Sequence, residues 1–77
     1  MSQPIDDKQK QQLIKLGERV KSIRQNKQLT LEQVSFKIGK DRQSIHKLEK
    51  GVFNPSYLYL LEVCKGLEIN IKELMDF

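Results

Sequence analysis

Five polar side chains fall close together in the stretch DRQSIHKLEKG, from Asp41 to Gly51: Arg42, Gln43, His46, Lys47 and Lys50. Their chemistry is hydrogen-bond readout. A guanidinium pairs bidentately with the O6 and N7 of guanine, a carboxamide with the N6 and N7 of adenine, and an ammonium reaches guanine or a phosphate. At the helical period the five occupy an arc of roughly 140°. Ile45 and Leu48 fall on another side. A helix presenting such an arc fits the major groove of DNA, and Lys50, at its far end, is better placed for phosphate than for a base. A solvated helix face carries the same residue types, so the surrounding elements have to decide between the two.

Other chemistries find little support. His46 is the single histidine, with no cysteine or acidic residue at metal-ligand spacing, so no metal site is expected. Cys64, the single cysteine, lies on an apolar stripe and reads as a packing residue. There is no Gly-rich phosphate loop and no cluster of carboxylates, hence no catalytic constellation; a non-enzyme without a cofactor is expected. One cysteine cannot form an internal disulfide, which favours a reducing compartment. No stretch approaches the roughly 18 apolar residues of a membrane span. The opening residues MSQPIDDKQKQQ lack the apolar centre of a secretory signal. These features predict a cytoplasmic protein with no membrane partner.

The elements that would position the arc are helical. Strand signals are poor, with no Asn-Gly or Asp-Gly hairpin turn. Leu13, Leu16, Val20 and Ile23 step by three and four, one face of a helix from about Asp7 to Asn26. Gly17 sits inside that pattern, where it either weakens the helix or lets another backbone come close. Thr30 with Gln33 three residues on has capping-box spacing and opens a second helix, with Leu31, Val34 and Ile38 as its stripe. Gly39 reads as a left-handed stop, and only Lys40 separates it from the next cap, Asp41. Two short helices joined by so tight a turn make a helix-turn-helix over about 31–50.

Gly51 ends the third helix, VFNPS is a loop, and Pro55 or Ser56 opens a fourth with Tyr57, Leu60, Val63, Cys64 and Leu67 on its stripe. Asn70 and Glu73 repeat the capping-box spacing before a last helix of about Ile71 to Asp76. The fold class is therefore all-α, a single five-helix domain over 7–77 preceded by a flexible arm over 1–6. A chain of 77 residues buries only about 60–65% of the surface its unfolded form exposes. With 38% apolar and 31% charged residues it suits a folded domain better than a disordered one.

The net charge of +4 is unevenly spread. Residues 8–50 carry twelve Lys/Arg against four Asp/Glu, a net +8, and the segments on either side are each −2. A basic block of this kind points to a polyanion, although a Lys-rich solubilising surface has the same composition.

With punctuation, core pattern and charge together, TLEQVSFKIGKDRQSIHKLEKG resembles the helix-turn-helix of phage repressor and Cro proteins, the bacterial and phage group of xenobiotic-response-element-type regulators. The resemblance extends through LGERVKSIRQNKQL and NPSYLYLLEVCKGLEINIKEL, about residues 16–75. It implies a lambda-repressor-like fold and base reading by Arg42, Gln43, His46 and Lys47. It also implies that Arg24 pairs with Glu49 in a salt bridge clamping the recognition helix to the first helix. The family often places a phosphate-holding Gln at the first residue of the second helix. Leu31 stands there, which moves that contact to Thr30 or Gln33. Where the family favours Ala, this chain has Ser35, whose hydroxyl needs a partner.

Leu58 and Leu61 lie beside the main stripe of the fourth helix, and Met75 and Phe77 end the chain. So many apolar groups at one end exceed what a monomer needs, which predicts a symmetric dimer through the last two helices. Dimerisation places two recognition helices about 34 Å apart and demands a roughly palindromic operator. The expected function is a sequence-specific regulator of transcription that binds double-stranded DNA as a homodimer. Phage repressor, antitoxin and restriction–modification controller all remain open, as does a protein partner such as a toxin or another regulator. The alternative from a different class is a helical interaction module with little or no DNA binding.

Overall fold

A computed structural model describes residues 5–77; of the expected arm, residues 1–4 lie outside the described residues. Five helices follow one another: α1 (Asp7–Asn26), α2 (Leu31–Ile38), α3 (Arg42–Lys50), α4 (Tyr57–Leu67) and α5 (Ile71–Leu74). No strand occurs among the described residues.

Each helix starts on a side chain that answers the unsatisfied backbone N–H groups of a first turn. Thr30 Oγ1 accepts from the Gln33 N–H at 3.0 Å while the Thr30 N–H donates back to Gln33 Oε1 at 2.8 Å. Asn70 and Glu73 form the same reciprocal pair. Asp6 does so with Gln9, at 2.8 and 3.1 Å. Asp6 therefore belongs to the ordered start of α1 and not to a free arm, because its carboxylate satisfies an N–H that would otherwise be left open. Of the two candidates for the start of α4, Ser56 is the N-cap. The last helix stops at Leu74, short of the expected Asp76: the Met75 N–H donates to Ile71 O and the next turns are irregular.

Leu16, Val20, Val34, Ile45, Leu48, Leu60, Val63, Cys64, Leu67 and Leu74 form the core, drawn from all five helices. Cys64 is buried there, and burial pushes its thiol above the usual range. Tyr57 is not part of the stripe; it is 61% exposed. The aromatic of α4 that packs is Tyr59, edge-on to Phe53 at 5.0 Å.

Gly17 resolves in favour of close approach. A Cβ there would stand 2.4 Å from Leu48 O and 2.5 Å from Glu49 O, so α1 crosses α3 with backbone against backbone. Arg19 ties the chain's end to the same helix, donating from Nη2 to Glu73 O at 2.7 Å and from Nε to Leu74 O at 3.3 Å. Those carbonyls close α5, where a cation also complements the helix C-terminus. Among the described residues no helix is long and apolar enough to cross a membrane.

Candidate nucleic-acid interface

The turn ahead of α3 is built by local chemistry. Gly39 adopts φ +64°, the left-handed conformation that closes α2, and its N–H donates to Ser35 O. The Lys40 N–H donates to the same carbonyl at 3.2 Å. The Ser35 hydroxyl donates to Lys40 O, which is the partner it required. Asp41 then caps α3, its Oδ1 accepting from the Gln43 N–H at 3.1 Å. Ser44 Oγ donates to Asp41 O at 2.8 Å, which leaves the Tyr59 hydroxyl to donate to Ser44 Oγ at 2.7 Å. Tyr59 is thereby a strut from α4 to the start of α3. Its phenol is raised above the ordinary value, chiefly by burial, with the Ser44 bond opposing. Lys40 Nζ lies 5.6 Å from the ring centre, a cation–π distance.

α3 divides cleanly. Ile45, Leu48 and Glu49 face inward and are buried. Arg42, Gln43, His46, Lys47 and Lys50 are all exposed. The inward charge, Glu49, is held by Arg24 from α1: Nε donates to Oε2 at 2.7 Å and Nη2 to Oε1 at 3.1 Å. Arg24 Nη1 donates to Leu29 O at 2.7 Å, so the guanidinium is used on every nitrogen. With side-chain exposures of 3% and 11%, Glu49 is buried and Arg24 largely so. The pair ties α3 to α1 along the edge of the polar arc, next to Arg42.

The outward face carries a second arginine–glutamate pair. Arg42 Nε donates to Glu32 Oε1 at 3.0 Å, with side-chain exposures of 55% and 70%. The backbone N–H at Glu32, then the Arg42 hydrogen bond and charge, and more weakly the Arg24 charge, hold the Glu32 carboxyl below the usual range. Sequence reasoning passed over Glu32. The available signal was opposite charge in the first turns of two helices joined by a tight turn. A third pair, Lys37 with Glu68 at 2.7 Å, lies on the far side where α2 meets the end of α4.

Thr30 and Gln33, the candidate phosphate contacts, are exposed but engaged with each other in the capping box. The Thr30 hydroxyl hydrogen and the Gln33 amide group have no internal partner among the described residues, and these are the donors left for an external oxygen. Of the four residues expected at a dimer seam, Leu58 is 72% exposed, Phe77 61% and Met75 44%, while Leu61 is half-buried. Phe36, on the open side of α2, is 91% exposed. Among the described residues no three His, Cys, Asp or Glu side chains come together in a way that would hold a metal.

A family profile described as a helix-turn-helix domain matches residues 17–76. Among solved structures, the restriction-modification controller protein C.AhdI from Aeromonas hydrophila is similar at 32% identity and a TM-score of 0.81, over 84% of this chain and 98% of that one. The wild-type restriction-modification controller protein C.Esp1396I is 30% identical with a TM-score of 0.77, over 83% of this chain and 84% of that one. A tyrosine-to-phenylalanine mutant of the latter gives 0.78 at 30% identity, over 83% and 81% of the two chains. No curated protein matches.

Proposed function

The chain belongs to the helix-turn-helix domain family, and from that premise we propose that it regulates transcription by binding a palindromic operator as a homodimer, in the manner of a restriction–modification controller. α3 lies in the major groove. Arg42, Gln43, His46 and Lys47 face base edges, and Lys50 holds phosphate at the far end of the helix. Thr30 and Gln33 offer their free donors to the backbone beside the start of α2. The phosphate-holding Gln that the family often carries at the head of the second helix is thus replaced by neighbouring groups.

One observation carries this reading. The five polar side chains of the arc on α3 are open to solvent, whereas its apolar side chains and its one acid are buried. A helix fixed so firmly on one side, with cations and an amide on the other, is suited to lying against a polyanion. The twelve Lys/Arg of residues 8–50 supply the field that draws one in. The exposed Leu58, Met75 and Phe77, with the half-buried Leu61, support the dimer. Two such subunits present their α3 helices about 34 Å apart, one turn of duplex. The reading involves no catalytic step, no metal and no cofactor, and it places the protein in the cytoplasm beside its DNA.

A protein-interaction module is the second reading, and the bare Phe36 on α2 is what favours it. Salt separates the two. Affinity for duplex DNA should fall linearly on a logarithmic salt axis, by about 0.9 in slope for each phosphate neutralised. Binding to duplex that ignores salt, or none at all, would leave the interaction module standing.

A further inference from the structure

We propose that Glu32 is a positioning residue for base recognition: it grips Arg42 by Nε and so offers the two terminal nitrogens, Nη1 and Nη2, as a fork for guanine. The proposal rests on the base-reading role of Arg42 given above and concerns what orients that side chain.

The geometry distinguishes this pair from an incidental surface bridge. Glu32 Oε1 accepts from Arg42 Nε at 3.0 Å, and neither terminal nitrogen of Arg42 has a partner among the described residues. Arg24 is the contrast within the same molecule, with all three guanidinium nitrogens spent internally. A guanidinium held at Nε keeps the edge whose spacing matches O6 and N7 of guanine. Both partners also spring from fixed backbone. Arg42 is the first residue of α3 after the Asp41 cap, and Glu32 lies in the first turn of α2, which the Thr30–Gln33 box closes. Rotamer freedom that Arg42 would lose on meeting a base is thus partly lost already, which is how preorganisation raises selectivity.

The charge at Glu32 reinforces the point. It is a carboxylate amid the cations of a face built for phosphate, so it weakens attraction to every sequence alike. A residue that opposes general affinity there is explained if it improves discrimination.

The test uses the full chain and a duplex selected by it, together with derivatives carrying the other base pairs at the position whose preference Arg42→Ala removes. The readout is the ratio of affinities for guanine over its competitors, in which global gains or losses of binding cancel. Glu32→Ala should lower that ratio about three- to five-fold, at that position and no other, the size expected of an exposed pair. Glu32→Gln, which keeps an acceptor oxygen, should restore most of it. In an Arg42→Ala background, Glu32→Ala should change nothing further. An undiminished ratio in Glu32→Ala, or equal loss at every position, overturns the proposal while leaving Arg42 as a reader. If Arg42→Ala leaves every position's preference intact, the base-reading assignment itself fails and the proposal falls with it.

Discussion

Helix α3 is tied to its neighbours by two arginine–glutamate pairs that share chemistry and differ in everything else. The Arg24–Glu49 pair is largely buried, doubly hydrogen-bonded and completed by the Leu29 carbonyl. The Arg42–Glu32 pair is exposed, singly bonded and leaves two nitrogens idle. Burial decides what each does. A pair withdrawn from water stabilises only if it stays whole, since removing one partner strands a charge where solvent cannot reach it. A pair in water contributes little to folding, because solvent and salt screen it. It can therefore be broken, or turned toward a ligand, without unfolding the domain. One face of α3 thus serves the fold and the other is free to serve recognition.

The sharpest way to break that contrast is Glu49→Ala. It leaves Arg24 without its carboxylate and should cost about 3 kcal/mol in urea unfolding, with stability lost before base preference. Next is Gly17→Ala, which drives a methyl group into the Leu48 and Glu49 carbonyls. Despite the better helix propensity of alanine, it should destabilise by about 2–3 kcal/mol. Arg42→Ala tests the other face. It should change folding stability by less than about 0.5 kcal/mol and yet remove about 1–3 kcal/mol of discrimination at one position of each half-site. Lys50→Ala is smaller and different in kind: binding to all sequences weakens together and the salt slope drops by about 1.

The smallest effect is on pH dependence. Glu32 and Glu68 are both held below the usual carboxylate range, so each carboxyl binds its proton less readily folded than unfolded. The stability they lend is present above the unfolded-state pKa and disappears as pH falls through the lower folded values. Side-chain carboxyl NMR should show both midpoints depressed. Midpoints at the ordinary value would mean that the two ion pairs do not persist in solution.

What could be read from sequence was the local chemistry. The Thr30–Gln33 and Asn70–Glu73 boxes span three residues, and Gly39 states its own backbone requirement, so helix starts and the tight turn were legible. The Asp6–Gln9 box has the same spacing, yet it lies beside polar residues that also suit a frayed end. The Arg24–Glu49 pair, 25 residues apart, was reachable only through family resemblance. Contacts with no local trace stayed hidden: Arg19 to the carbonyls of α5 and Tyr59 to Ser44. So did the left-handed turns at Gln28 and Glu68, since neither residue type advertises a positive φ. The face of α3 was legible because periodicity fixes it, whereas the partners of that face depend on how three helices meet.

The most direct test of the division between the two faces is selection of bound duplexes from a random pool, run in parallel with the wild type and Arg42→Ala. Two inverted half-sites centred about one helical turn apart are expected. Arg42→Ala should lose the preference at one symmetric position while the rest of the pattern survives. A pool that yields no enriched sequence, or the same full pattern from both proteins, would contradict that division.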